Sequence, residues 1–481
     1  MPKTTGLPPR AVYRHAELDR VLNPRSIAIV GASPTPGSFG DRVLTHISTF
    51  AGDIYLVNPK YDRIGERDCY ASLRDLPRPP DCIAVAIPRE SVEPIAIDAA
   101  SCGAGGMVLY ASGYAEMQRQ DRIEQQRRLS AIARETGLKI IGPNCLGLVN
   151  YLQRFRLSFA EYPKPREQHG VLIGIASQSG AMSQAMSQAI ERGIGVSHAL
   201  SAGNQCDVDV ADYVSYLAEE PRCHAIACAF EGMSSPDRMR EAASIAWRHG
   251  KPLLVNKIAT GAPGAQAALR HTGSDAGTDA AWRALFEQGG AIVIDEFEGL
   301  MEAASFFAKA PVPAARGVAV AATSGGAAIM CADKAEEHGV PLPQPSERVR
   351  ALLSSLIPEF GCAQNPCDVT GQVVNNPNSL WECADALLSD PAYGALIAPQ
   401  TVVSEMNWQA RIDALQNVSK QRGKITCNVL LSNWLQGPGL LESERHTHIA
   451  VFRSLDRCFR TLAAWHRRAD MQGRGKDTTE R

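Results

Sequence analysis

The 481-residue sequence predicts an α/β protein built from doubly wound, mainly parallel sheets. Short apolar runs alternate with helix-length stretches nearly throughout the chain. The runs are continuous, rich in β-branched residues and bounded by Gly or Pro, as parallel strands covered on both faces are. The pattern also restarts twice after polar, Pro-containing segments, which agrees with about three domains at roughly 150 residues each.

In order, "SIAIVG" (26–31), "DIYLVN" (53–58), "CIAVAIP" (82–88), "GMVLYAS" (106–112) and "LKIIG" (138–142) read as buried strands, with crossover helices in several of the spacers. They define a first α/β domain over 15–160. "EYPKPREQHG" (161–170) suits a linker. "GVLIGIAS" (170–177), "HAIACAF" (224–230) and "PLLVNK" (252–257) form a second set, over 165–307. "AKAPVPAARG" (308–317) is the next linker. "VAVAAT" (318–323), "ALIAP" (395–399) and "ITCNVLL" (425–431) form a third set, over 315–468. The charged, Gly-containing residues 469–481 are expected to fray. "GVLIGIASQSGAM" and "GVAVAATSGGAAIM" share one plan, a strand running into Ser, Thr and Gly and then a helix, so the second and third domains look like related units.

Bulk properties exclude several classes. Lys plus Arg is 49 and Asp plus Glu is 51, for a formal charge of -2. No strong field exists to gather nucleic acid or a membrane surface, so any anionic ligand must be held by local features. The 13 cysteines form no CxxC pairs, which argues against a disulfide framework and for reduced, cytosolic thiols. The N-terminus lacks an apolar signal core, and no apolar run reaches the roughly 18 residues of a membrane span. A cytoplasmic protein is expected.

Four stretches can carry chemistry. "GASPTPGSFG" sets Gly31, Ser33, Gly37 and Gly40 after the first strand. The spacing departs from the G-x-G-x-x-G fingerprint, yet small residues still let backbone N–H groups approach a phosphate at a helix start. Where a ribose-gripping acid is expected, "NPK" places Lys60, which suits a phosphorylated ribose or a pyrophosphate. An ordinary Gly-rich turn remains the other reading. "SQSGAM" offers Ser177, Gln178, Ser179 and Gly180 at a helix start, where the macrodipole adds about half a positive charge. "TSGGAA", with Ser324, Gly325 and Gly326, offers a second such start. Two of them facing one another would hold a phosphate without Lys or Arg. His271 lies in "HTGSDAG", where Gly, Ala and Ser suggest a bare, mobile loop. A neutral imidazole there is a nucleophile that can carry a group between sites, or else a solvated side chain without a role. Glu231 follows a buried strand at the edge where α/β sites form, placed to hydrogen-bond one imidazole nitrogen, or else to sit in solvent or cap a helix. No H-x₃-H pair is accompanied by carboxylates in a ligand pattern, so no metal site is expected.

These pieces, in this order, resemble the NDP-forming (ADP-forming) acyl-CoA synthetases of the succinyl-CoA synthetase superfamily. The strings are "NPRSIAIVGAS", "VNPK", "IGPNCLGLVN", "SQSGAM", "SAGNQCDVDVADYVSYL", "FEG", "HTGSDAG" and "NPCDVTG", and "HIAVFRSLDRCFRTLAAW" looks like the closing helix. The resemblance implies a CoA-binding Rossmann-like domain followed by two flavodoxin-like α/β domains. It implies that CoA lies near Gly31, Ser33, Gly37, Gly40, Lys60, Pro88, Ser112 and Asn144. It makes His271 the phosphohistidine, Glu231 its orienting partner, and 177–180 and 324–326 the holders of its phosphate. A nucleoside triphosphate would phosphorylate the histidine, a carboxylic acid would take the phosphate, and CoA would displace it as the thioester.

Two departures matter. Arg270 and Asp275 bracket the histidine motif, where the family usually carries Ser and an apolar residue. No segment is long enough for an ATP-grasp domain, so the chain resembles the alpha-type subunit. A separate ATP-grasp beta-type subunit would hold ATP or GTP with magnesium, in a hetero- or homo-oligomer. Rival readings are a nucleotide-dependent oxidoreductase, opposed by the missing fingerprint, and a CoA-binding regulatory protein without ligase activity.

Overall fold

The computed structural model describes residues 10–233, 235–272, 276–371, 375–376, 378–402 and 408–479; for 269–272, 408 and 474–479 it describes the backbone only. The chain forms two compact units. Met1–Gln168, Leu172–Ile190 and Val196–Phe297 make the first, and His169–Val171, Glu191–Gly195 and Glu298–Arg481 the second.

The first sheet contains β1 (Ser26–Val30), β2 (Asp53–Val57), β3 (Arg63–Ile64), β4 (Arg67–Tyr70), β5 (Cys82–Val85), β6 (Gly106–Leu109) and β7 (Lys139–Ile141), in the order β3-β4-β2-β1-β5-β6-β7. Every pairing is parallel except the β3–β4 hairpin. β1, β5 and β6 are buried at every position, as their continuous apolar sequences require. The chain runs from β1 to β2 on one side and returns to β5 on the other, so the topological switch lies between β1 and β5.

The second sheet contains β8 (Gly147–Asn150), β9 (Phe155–Ser158), β10 (Leu172–Ser177), β11 (Gly195–Ser201), β12 (Ala225–Phe230), β13 (Leu253–Lys257) and β14 (Ile292–Val293), in the order β14-β13-β12-β10-β11-β8-β9. Residues 147–158, which the sequence assigns to the first domain, thus pair into the second sheet. β8 runs antiparallel to β11 with Leu148 opposite Leu200. One core joins these two sheets, with Ile27 and Ile29 of β1 clustering with Leu148, Phe155, Leu200, Tyr213 and Phe230.

The second unit holds an all-parallel sheet of β15 (Gly317–Ala322), β16 (Cys367–Asp368), β17 (Tyr393–Gln400), β18 (Ile425–Leu430) and β19 (Ile449–Phe452), in the order β16-β15-β17-β18-β19. One expectation is corrected here. "IAVF" is strand β19 and not the start of the closing helix, because four apolar residues complete the buried sheet edge beside β18. The closing helix runs Leu455–Thr479 and is anchored by Phe459 and Leu462. All 13 cysteines are unpaired. Among the described residues no helix is long and apolar enough to cross a membrane.

Candidate functional site

Five parallel strands of the first sheet end on one edge, and all eight residues expected near CoA lie just beyond those ends. Gly31 leaves β1 with φ +88°, and a Cβ there would stand 2.5 Å from the carbonyl oxygen of Ala86. A Cβ on Gly40 would stand 2.2 Å from the carbonyl oxygen of Gly31. The two glycines therefore let the helix Phe39–His46 begin directly against the strand end. Ser38 caps that helix by accepting from the Asp41 N–H at 3.3 Å. The turn is braced from within. The Gly37 N–H donates to Asp41 Oδ2 at 2.8 Å, and Ser33 Oγ accepts from the Thr35 N–H at 3.1 Å. Asn58 ties the next loop to it, donating from Nδ2 to the Ala32 carbonyl at 2.8 Å and accepting from the Lys60 N–H at 3.0 Å. Lys60 is exposed beside the turn, Pro88 and Ser112 are exposed after β5 and β6, and Asn144 is half-buried after β7.

Sequence reasoning missed Arg89. Its side chain is 9% exposed, bonded to Gln125 and paired with Glu90, and its Nε lies within 3.4 Å of where a Gly113 Cβ would be. It brings an enclosed guanidinium beside Gly113. Its only sequence signal is that it directly follows the proline ending a buried strand. Phe39, 46% exposed, stacks on Phe159 at 4.3 Å beside the same turn.

The second sheet presents the other half. Ser179 caps the helix Gly180–Ser187, accepting from the Met182 N–H at 3.4 Å. Ser177 is fully buried, and its hydroxyl donates to the Ser179 carbonyl at 2.8 Å. Gln178 is also buried, and its Oε1 accepts from the N–H groups of Glu231 at 2.9 Å and Gly232 at 3.2 Å. Two of the four expected phosphate-holding residues thus shape the site from beneath, while Ser179 and Gly180 reach its surface. Gln178 also fixes the backbone that carries Glu231, which is itself 8% exposed. Lys257 is buried next to it and donates from Nζ to the Glu231 carbonyl at 2.5 Å.

The loop after β7 meets this helix start, since a Cβ on Gly180 would stand 2.3 Å from Leu146 Cγ. The loop after β7 and the start of the helix Gly180–Ser187 therefore touch within one unit.

The expected bare loop around His271 is corrected. His271 lies in the last turn of the helix Ala262–Thr272. Its "AQAALR" lead-in is made of good helix formers, which outweigh the glycines that follow. The helix packs against the short turn Ala115–Met117 at the CoA edge. The side chains of Arg270 and His271, and all of 273–275, fall outside the described residues. Beyond them Trp282 Nε1 donates to the Ala276 carbonyl at 2.7 Å, so the chain is pinned again at once.

In the second unit Ser324 begins the helix Gly325–His338 without a side-chain cap. Asp368 Oδ2 lies 2.9 Å from where a Gly325 Cβ would be, so a carboxylate already faces this positive helix end. Any anion bound there by Ser324–Gly326 shares the helix end with a like charge. Among the described residues one group, Glu337, His338 and Asp456, has the spacing to hold a cation. Lys334 and Arg460 already pair with Asp456, at 3.3 and 2.7 Å.

Residues 25–151 match the CoA binding domain family, and residues 170–307 match the succinyl-CoA ligase like flavodoxin domain. The alpha subunit of acetate–CoA ligase (ADP-forming) II from Pyrococcus furiosus is 30% identical over 383 residues, covering 79% of this chain and 82% of that subunit. The chain belongs to the ADP-forming acyl-CoA ligase family. A trans-feruloyl-CoA synthase from an unidentified prokaryote is 33% identical over 390 residues, covering 80% of this chain. This ligase-family chain spans 55% of that relative's length. The dinucleotide-forming acetyl-coenzyme A synthetase 1 of Ca. Korarchaeum cryptofilum, solved with phosphate and ADP, superposes with a TM-score of 0.83 at 26% identity, covering 95% of this chain and 97% of that one.

Proposed function

We propose that the chain is the acid–thiol ligase subunit that forms or cleaves an acyl-CoA thioester through a phosphohistidine and an acyl phosphate. The observation that carries this reading is the meeting of three features in one unit: the CoA edge, the phosphate helix at Gly180, and the helix bearing His271 packed on Ala115–Met117. The residues fit CoA. Gly31 and Gly40 let the helix Phe39–His46 start against the end of β1, Gly37 leaves the open space of a cradle above it, and Lys60 and Arg89 add cations beside it. His271 passes its phosphoryl group to the carboxylate of the acid, which frees the imidazole and gives the acyl phosphate. The CoA thiolate then attacks the carbonyl carbon. The C–S bond forms, the C–O bond to phosphate breaks, and inorganic phosphate leaves onto the N–H groups at Ser179–Gly180. Glu231 holds the imidazole in its reactive orientation. A separate ATP-grasp beta-type subunit would hold ATP or GTP with magnesium and supply the phosphoryl group, in an oligomer with this chain. The unpaired cysteines suit a reducing compartment, and we place the protein in the cytoplasm.

Arsenate tests this without the nucleotide subunit. It replaces phosphate in the reverse direction and gives an acyl arsenate that hydrolyses spontaneously. The pure chain is expected to release CoA from at least one member of an acetyl-, branched-chain and aryl-CoA panel, in proportion to arsenate. Tight CoA binding with no release from any member would return the reading to a regulatory CoA-binding protein.

A further inference from the structure

We propose that Glu116 and Asn204 are positioning residues that fix the distance between the CoA edge and the phosphate helix. This rests on the ligase reading above. After β6 the chain turns at Gly113, with φ +90°, and enters the short helical turn Ala115–Met117. The Glu116 carboxylate folds back over this turn. Its Oε1 accepts from the Gly113 N–H at 2.6 Å, and its Oε2 accepts from the Tyr114 N–H at 3.0 Å. Oε2 also accepts from Asn204 Nδ2 at 2.6 Å, across to the second sheet.

Asn204 is 7% exposed and its amide is fully engaged. Nδ2 also donates to Gln126 Oε1 at 3.0 Å, and Oδ1 accepts from Asn144 Nδ2 at 3.2 Å. Its backbone N–H donates to the Pro143 carbonyl at 2.9 Å. The two residues before it complete the path. The Ala202 and Gly203 N–H groups donate to the carbonyls of Ser177 and Gln178, at 2.9 and 3.0 Å. A Cβ on Gly203 would stand 2.4 Å from the Pro143 carbonyl oxygen, so the turns lie in direct contact.

One hydrogen-bonded path therefore runs from Gly113–Tyr114 through Glu116 and Asn204 to Ser177–Gln178, and through the Gln178 side chain to Glu231. Bonds to a carboxylate are the stronger kind, and a network whose members are all satisfied is stiff. Neither Glu116 nor Asn204 need touch a reactant. Their effect is on alignment, where a displacement of about 1 Å costs on the order of 100-fold in rate.

The test uses the whole chain with Glu116→Gln, Asn204→Asp and the double variant. Glu116→Gln turns an amide NH₂ toward that of Asn204, and Asn204→Asp sets a second carboxylate against that of Glu116. Together the two changes restore the donor–acceptor pair between 116 and 204, while the Tyr114 N–H loses its carboxylate acceptor, so the rescue is partial. Three quantities are measured: CoA affinity by calorimetry, the single-turnover rate of CoA release from acyl-CoA with arsenate, and amide hydrogen exchange with and without CoA. Each single variant is expected to keep CoA affinity within about threefold while its transfer rate falls roughly 10- to 100-fold, with the double variant regaining at least part of it. CoA is expected to slow exchange over both 112–117 and 202–206 in the native chain, and over 112–117 alone in Asn204→Asp. A rate loss that merely follows CoA affinity, or CoA protection reaching 202–206 unchanged in Asn204→Asp, overturns the proposal. If the native chain releases no CoA, the ligase reading fails. The exchange pattern then still decides whether the two loops are mechanically linked.

Discussion

At Gly31 the backbone takes φ +88° within 2.5 Å, at Cβ distance, of the Ala86 carbonyl oxygen. Both features penalise any side chain, and neither can relax without moving β1 from β5. Gly31→Ala is therefore expected to cost about 1–3 kcal/mol in urea unfolding and to weaken CoA binding measured by calorimetry. Native stability together with native CoA affinity in this variant would show that the turn is not the cradle. Residues of this kind were legible in the sequence, because a turn that needs glycine leaves glycine in the text. Arg89, Glu116 and Asn204 were not. Glu116 and Asn204 are 88 residues apart, and only the joining of two sheets makes them partners. The glycines after His271 were legible, but their meaning was misread. They follow the helix end rather than holding the histidine on an open loop.

Among the elements, the helix Val210–Glu219 shows why the string "DVDVAD" is rich in acids. Asp209 and Asp212 form a reciprocal cap at its start. Asp212 is fully buried and accepts from Arg10 Nη1 and Nη2, Arg238 Nη2 and the Tyr13 N–H. Burial pushes its carboxyl up, but the bonds and charges of Arg10 and Arg238 outweigh this and hold it below its ordinary value. The acids anchor the chain before β1. The closing helix Leu455–Thr479 makes a different kind of statement. His466 is 2% exposed with neither ring nitrogen bonded. Burial, helped by Arg316 and opposed by Asp470, pushes its imidazole down to about 4. An unfolded histidine titrates near 6.5, so between these values the unfolded chain binds a proton that the fold excludes. Stability is full above about 6.5 and is lost as pH falls toward 4, by at most about 1.4 kcal/mol per pH unit from this group. His466→Phe is expected to flatten that part of the urea-midpoint profile between pH 6.5 and 4. An unchanged slope would mean that the imidazole accepts its proton inside the fold.

For the whole molecule, the sequence conveyed the three α/β sets because buried parallel strands are continuous apolar runs, and the three sheets follow from them. It did not convey that residues 147–158 cross into the second sheet, since strand pairing depends on a distant partner, β11. That crossing joins the first two sheets over one core and brings the loop after β7 against the helix Gly180–Ser187. In the proposed reaction this first unit moves a phosphoryl group through His271. Intact mass at mildly alkaline pH, where phosphohistidine survives, reads that transfer out. The native chain and His271→Ala would be incubated with inorganic phosphate and the acyl-CoAs that release CoA with arsenate. One acid-labile phosphoryl group is expected on the native chain, formed only when acyl-CoA and phosphate are both present, and none on His271→Ala. A native chain that gains no phosphoryl group, or a His271→Ala chain that gains the same one, would contradict that transfer.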